Sequence, residues 1–257
     1  MRLALVQQSL AWEDRSANYH AFTSVLEPLR GRVDLVVLPE MFTTGFTMQP
    51  ARLAEQDGAA TRDWLRAQAE RIDAAITGSV VVQSAGQYFN RLFWVTPDGA
   101  VSSYDKRHLF RMAREHEHYT AGDRQLLIEW RGFRIAPLIC YDLRFPVWSR
   151  RRAGFEYDLL VYVANWPAVR RYPWQQLLLA RAIENLSYVA GVNRIGTDGN
   201  GVSYAGDSAI VDYLGQPLAK LADVAGVVSA TLEIGPLDEF RRKFPAHLDA
   251  DHYRLET

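Results

Sequence analysis

The chain has a single cysteine, Cys140, which stands where an apolar run over residues 134–139 gives way to Tyr141-Asp-Leu-Arg-Phe-Pro146. A thiol at a strand end, entering a tight turn, has free backbone N–H groups nearby to receive an anion. Free cysteines are also among the most buried residue types, so this position alone does not separate a nucleophile from packing. Two more polar residues end extended segments in the same way: Glu40 in Leu38-Pro-Glu-Met-Phe42, and Lys106 in Tyr104-Asp-Lys-Arg-His-Leu-Phe110. Each has a plain structural reading too, Glu40 as a cap and Lys106 as a surface cation. Their combination suits acyl chemistry. A thiol of ordinary pKa is only a few per cent ionised near neutrality, so a carboxylate such as Glu40 that takes its proton raises the reactive fraction. An ammonium such as Lys106 stabilises the oxyanion of a tetrahedral intermediate, and losing one such donor typically costs about 10²–10³ in rate. The backbone N–H of Tyr141 is the expected second donor.

Positioning these three residues requires elements whose ends converge. Residues 2–7, 33–39, 134–139 and 157–164 read as buried strands, and 61–72 as an amphipathic helix with Trp64, Leu65, Ala69 and Ile72 on one face. Residues 76–83, 88–96 and 100–104 read as successive strands, with Pro97-Asp-Gly99 as a hairpin turn, and 207–212 and 227–233 as a later pair. A helix is expected to start at Pro236, and 251–257 to form an extended tail able to reach a partner subunit. Strands alternating with helices predict an α/β fold, in which ligands gather at the carboxyl ends of strands.

The composition excludes several function classes. With 29 basic and 30 acidic residues the net charge is −1, which gives no field for nucleic acid or anionic lipid. Arg150-Arg-Arg152 reads as the solvated end of the helix after Cys140. No run approaches the ~20 apolar residues of a membrane span, and no leader pattern opens the chain. One cysteine forms no internal disulfide or multi-cysteine metal cage, and His116 and His118 lack a second ligand cluster, so no metal is expected. A reducing, cytoplasmic setting follows. Phe42, Phe46, Phe110, Phe145 and Trp166 surround the three motifs and suggest an aromatic-walled pocket, about half of them being ordinary core. Arg111, Arg114, Arg144, Arg170 and Arg194 are all available to bind a substrate carboxylate, and Arg144 can equally pair with Asp142 or Glu184.

The motifs around Glu40, Lys106 and Cys140 together resemble the signature of the nitrilase superfamily of carbon–nitrogen hydrolases. Arg181-Ala-Ile-Glu-Asn185 resembles that superfamily's late helix, and Tyr204-Ala-Gly-Asp-Ser208 its later strand entry. The resemblance spans the chain and implies a four-layer α-β-β-α sandwich, a single domain over residues 1–257, that pairs into a homodimer or larger homo-oligomer. It also implies a Glu40–Lys106–Cys140 triad that needs no cofactor. A second glutamate, placed by its spacing from Gly122-Asp123, falls on Glu115, with Glu117 as the competing placement. Tyr141-Asp142 stands where true nitrilases carry tryptophan and glutamate, so the amide-hydrolysing branches fit better. The segments from Lys106, from Cys140 and from Tyr162 to Pro167 look like those of bacterial omega-amidases. That branch implies hydrolysis of the terminal amide of 2-oxo dicarboxylic acid monoamides; from the motifs themselves, Tyr141, Phe42 and Trp166 are expected at the substrate. A papain-like reading, with His108 as base, a scaffold with a relic site, and acyl transfer to another nucleophile are the alternatives.

Overall fold

The structure is a computed structural model and describes residues 1–251 and 253–255. In chain order β1 (Arg2–Gln7) is followed by α1 (Arg15–Leu26), β2 (Leu35–Val37), α2 (Pro50–Leu53), β3 (Glu55–Gln56) and α3 (Ala59–Ile72). Next come β4 (Ala75–Ser84), β5 (Gln87–Val95), β6 (Val101–Asp105), β7 (Ile128–Trp130) and β8 (Phe133–Ile139). Then follow α4 (Pro146–Ser149), β9 (Leu159–Ala164), α5 (Arg171–Asn185) and β10 (Tyr188–Asn193). The hairpin of β11 (Ile195–Thr197) and β12 (Ser203–Ala205) leads to β13 (Ser208–Val211), β14 (Pro217–Leu221), β15 (Gly226–Thr231) and α6 (Ile234–Lys243).

The strands form two main sheets. One runs β15-β1-β2-β4-β5-β6 with the short β3 beside β4, and the other runs β14-β13-β10-β9-β8-β7. β1, β2 and β4 are parallel, as are β8, β9 and β10, while the flanking β15, β5 and β6, and β7, β13 and β14, pair antiparallel. The alternation of side chains along a strand explains the layering. In β1 and β2, Leu3, Leu5, Leu35 and Val37 join Ile135 of β8, Val161 of β9 and Ala190 of β10 in one core between the sheets. Their neighbours Ala4, Val6 and Val36 point the other way, onto Phe22 and Leu26 of α1 and Leu65, Ala69 and Ile72 of α3. On the far side, Trp174, Leu178 and Ala182 of α5 and Leu237 of α6 cover the second sheet. The result is helix, sheet, sheet, helix.

The sequence reading differs from the fold mainly at edges. The strand expected over 33–39 pairs only over Leu35–Val37, because the chain then turns to bring Glu40 inward. The expected α3 starts two residues earlier, where the buried Glu55 carboxylate receives the Thr61 N–H at 2.7 Å. Arg150, Arg151 and Arg152 are half-buried rather than a solvated helix end. Arg151 donates to the Tyr157 carbonyl and Arg152 to Gln125, while Arg150 faces Glu184. Of the expected tail, residues 252, 256 and 257 lie outside the described residues. Tyr253 and Leu255 fold back on their own chain, Tyr253 bonding the Val147 carbonyl and Leu255 lying beside Phe145 and Trp148.

Candidate active site

Glu40, Lys106 and Cys140 come from three strand exits that meet where the two sheets face each other. The Glu40 loop lies on β4: the Met41 N–H donates to Ser79 Oγ at 2.9 Å, and the Phe42 N–H to the Ser79 carbonyl at 3.0 Å. This close approach needs a glycine at 78, where a Cβ would sit 2.9 Å from the Leu38 Cβ. Lys106 leaves β6 with its N–H on the Asn90 carbonyl and its own carbonyl receiving the Gly122 N–H, at 3.0 and 2.9 Å. Gly122 packs so tightly on β6 that a Cβ would lie 2.2 Å from the Asp105 carbonyl oxygen. Cys140 opens the short 3₁₀ turn Cys140–Arg144 with φ +43°, in the left-handed region that a side chain seldom adopts. That conformation turns the thiol off the strand end, and the first N–H groups of such a turn have no partner within it.

At the centre the Lys106 ammonium, 1% exposed, lies 2.8 Å from Glu40 Oε1 and 3.0 and 2.9 Å from the two Glu115 oxygens. Both carboxylates are wholly buried. Glu40 Oε1 also accepts from Asn90 Nδ2, and Oε2 from the Asn165 N–H, each at 2.8 Å. A lone pair thus remains on Oε2. Glu115 is held in turn by the Phe110 N–H at 2.6 Å. Burial opposes the charge on Lys106, but Glu115 and then Glu40 outweigh it and hold the ammonium charged well above its ordinary range. Burial raises Glu115 above the usual carboxylate range, against the pull of Lys106. Burial first, then the negative charge of Glu40, pushes the Cys140 thiol well above its ordinary value. The resting thiol therefore carries its proton, next to a carboxylate able to take it.

Cys140 and Lys106 open onto a cavity of about 380 Å³. Phe46, Phe110, Tyr141, Trp166 and Tyr204 supply aromatic walls, and Arg144 and Arg170 bring the only guanidinium groups among its described lining residues. Arg144 lies over the Trp166 ring and Arg170 over the Phe110 ring, at 5.0 and 5.3 Å, and neither pairs with a carboxylate among the described residues. The one acid of the lining, Asp198, has its oxygens occupied by the Asn200 and Val202 N–H groups and the Tyr204 hydroxyl.

These positions sort the sequence expectations. Glu115, rather than Glu117, is beside Lys106; Glu117 is exposed and paired with Arg114. Tyr141 and Trp166 line the cavity. Phe42 does not: its ring is wholly buried against Phe22 and Trp64, on the helix side of the first sheet, because the turn at Met41 sends successive side chains to opposite faces. Phe145 stacks on His108 outside the cavity, and His108 directs Nδ1 to Asp142 Oδ1 at 2.8 Å. The ion pairs considered for Arg144 do not form, since Asp142 is taken by His108 and Glu184 by Arg181 and Arg150. Arg194 is buried behind the wall, over the Tyr204 ring. Sequence reasoning missed Asn90 and Asn165. Their signal was an amide within, or directly after, an apolar strand, where an unpaired polar group is costly.

Comparison with known proteins agrees with this architecture. Residues 2–242 match the family model for carbon–nitrogen hydrolases. The chain is 51% identical over 258 residues to the omega-amidase YafV of Escherichia coli strain K12, covering 99% of this chain and 98% of that one. It is 32% identical over 250 residues to the 2-oxoglutaramate amidase of Bacillus subtilis strain 168, with 96% of each covered. Among solved structures it superposes on XC1258 of Xanthomonas campestris, a CN-hydrolase superfamily protein with an arsenic adduct in its active site. That match has a TM-score of 0.97 and 50% identity, over 100% of this chain and 99% of the other. The sheets, the three strand exits and the whole-length match together establish that this chain belongs to the carbon–nitrogen hydrolase family.

Proposed function

We propose that the protein is an omega-amidase that hydrolyses the terminal amide of small 2-oxo dicarboxylic acid monoamides, 2-oxoglutaramate and 2-oxosuccinamate, to the 2-oxo acid and ammonia. The observation that carries the reading is the buried Glu40–Lys106–Glu115 cluster against a protonated Cys140, at the floor of a cavity with two guanidiniums that pair with no carboxylate among the described residues. Cys140 Sγ attacks the amide carbon while Glu40 Oε2 takes the thiol proton, and the carbonyl electrons move onto oxygen. The Tyr141 N–H and the Lys106 charge stabilise that oxyanion. Collapse breaks the C–N bond, the nitrogen takes the proton from Glu40, and ammonia leaves a thioester on Cys140. Water then gives a proton to Glu40 as its oxygen bonds to the acyl carbon. The C–S bond breaks and the proton returns to sulfur. Glu115 holds Lys106 and places the water. One carboxylate thus serves both half-reactions, and a positioned base of this kind contributes about 10²–10⁴ in rate.

The substrate class is supported by charge. Arg144 and Arg170 offer planar donors to the far carboxylate and 2-oxo group, with Trp166 and Tyr141 flanking the chain between. The proposal includes a single domain acting as a homodimer in a reducing cytoplasm. Light scattering gives the mass in solution. The functional test is ammonia release from a panel of small amides, nitriles and N-carbamoyl compounds, with intact-protein mass spectrometry of quenched reactions. The expected outcome is preference for 2-oxoglutaramate, with an acyl adduct on Cys140 that is absent from Cys140→Ala. A preference for a nitrile or an N-carbamoyl compound, or an adduct elsewhere, overturns the assignment.

A further inference from the structure

Behind Cys140, outside the cavity lining, lies a third buried carboxylate, which the chemistry above does not use. Asp142 is wholly inaccessible, and no lysine or arginine pairs with it among the described residues. Its Oδ2 accepts the Ile139 N–H at 3.0 Å and the Tyr104 hydroxyl at 2.7 Å. Its Oδ1 accepts the His108 N–H at 3.0 Å and faces His108 Nδ1 at 2.8 Å. The Tyr104 hydroxyl is fixed from behind by Trp148 Nε1 at 3.0 Å and the Arg107 N–H at 3.3 Å. The His108 ring is clamped flat on Phe145, with ring centres 3.8 Å apart.

These partners belong to two different strand exits. Ile139 is the last residue of β8, directly before the left-handed Cys140. Tyr104, Arg107 and His108 bracket Lys106 as it leaves β6. The two strands lie in different sheets, so no ladder of backbone hydrogen bonds sets the distance between Cys140 and Lys106. Asp142 supplies that link from its side chain. We propose that Asp142 is a positioning residue of this site: a single buried carboxylate that ties the nucleophile's turn to the lysine's strand end, with His108 as its hydrogen-bonded partner. The inference rests on the amidase reading, in which Cys140 and Lys106 act on one carbonyl group.

The chemistry of the contact makes Asp142 hard to replace. The Ile139 and His108 backbone N–H groups are donors that cannot reverse, and they sit on different oxygens. Whichever way an asparagine amide turns, its NH₂ meets one of them, so Asp142→Asn keeps the shape and loses the tie. A displacement of about 1 Å between reacting groups can cost on the order of 100-fold in rate.

The experiment compares Asp142→Asn with the wild type for steady-state ammonia release from 2-oxoglutaramate, with each rate divided by the fraction of protein whose single thiol titrates in the folded state. The expected result is a fall in kcat on the order of 100-fold with KM within about threefold, since the cavity walls are untouched. A residue with a merely structural role lowers the melting temperature but leaves kcat per folded site as it was. Should Asp142→Asn not fold, Tyr104→Phe decides. It removes one of the contacts and leaves the carboxylate in place, and kcat is expected to fall roughly tenfold at unchanged KM. Unchanged kcat in the folded variant, whether or not KM moves, overturns the inference. Cys140→Ala is the companion control: if it retains turnover, the amidase mechanism itself fails, whereas an inactive Cys140→Ala beside a fully active Asp142→Asn refutes only the positioning role.

Discussion

Replacing Glu115 by glutamine tests whether the buried cluster works as a unit. The Glu115 carboxylate faces the Lys106 ammonium with both oxygens and accepts the Phe110 N–H on Oε2, and neither of these donors can become an acceptor. A glutamine in the same place must turn its NH₂ toward one of them while the ammonium loses half of its counter-charge. Breaking one side of a buried ion pair costs about 3–5 kcal/mol. Lys106 keeps Glu40 at 2.8 Å, and repulsion between the two carboxylates is relieved, so the cost should fall at the lower end, about 3 kcal/mol. Turnover should fall by about 10²–10³, the cost of a misdirected oxyanion partner. Urea titration and ammonia release measure the two quantities, and mass spectrometry should show the acyl adduct on Cys140 accumulating as its hydrolysis slows. Glu117→Gln, at the exposed neighbouring acid, should alter neither quantity. Wild-type turnover and wild-type stability in Glu115→Gln would refute the reasoning.

Three further outcomes are expected. Phe42→Ala should lower the unfolding free energy by about 3–5 kcal/mol through the void left against Phe22 and Trp64, with KM unchanged; a KM that rises in step would return Phe42 to the cavity wall. Gly122→Ala puts a Cβ where the Asp105 carbonyl stands and should shift the strand end bearing Lys106, lowering kcat by about tenfold or more in a folded enzyme. Alkali should destabilise the fold: Cys140, Lys106 and the buried Tyr104, Tyr157 and Tyr162 all have raised pKa values. The unfolded chain therefore releases these protons first, from the thiol's reference value of 9.0 upward, while the native state retains them. Stability then falls as pH rises, by about 1.4 kcal/mol per pH unit for each group in its window. A urea midpoint that stays level or climbs between about pH 8 and 10.5 contradicts this.

The parts of the site legible in the sequence are those set by local chemistry. Glu40, Lys106 and Cys140 each end an extended segment, and that pattern survives folding because β2, β6 and β8 all end where the two sheets face each other, β6 running in the direction of β2 and β4 although it pairs antiparallel with β5. Glu115 was reached only through the family resemblance, whose second glutamate falls on it by spacing from Gly122, and in the structure Gly122 packs on the Asp105 carbonyl next to Lys106. Phe42 was misread because a single left-handed residue, Met41, decides which face its ring takes, and no periodicity reports that. The arginines were undecidable for a related cause. Which guanidinium lacks a carboxylate depends on contacts between residues far apart in the chain, such as Arg171 with Asp207, Arg241 with Asp158, and Arg150 with Glu184. The wall formed by β11 and β12 has the same origin, because it is tied to a segment nearly 190 residues earlier: the Ile195 N–H donates to the Gln8 carbonyl at 3.1 Å, and Arg194 reaches the Leu10 carbonyl.

The site is shared between the two sheets: Glu40, Lys106 and Asn90 belong to one, and Cys140 and Asn165 to the other. On the proposed mechanism, turnover reports on the seam between the sheets rather than on either sheet alone. A slide of one layer over the other leaves every strand paired and every helix intact, yet separates thiol from carboxylate. Mild denaturant or pressure that loosens this seam should silence the enzyme while its far-ultraviolet circular dichroism is still native. Substitutions in the inter-sheet core, distant from any substrate, should behave as activity variants before they behave as folding variants.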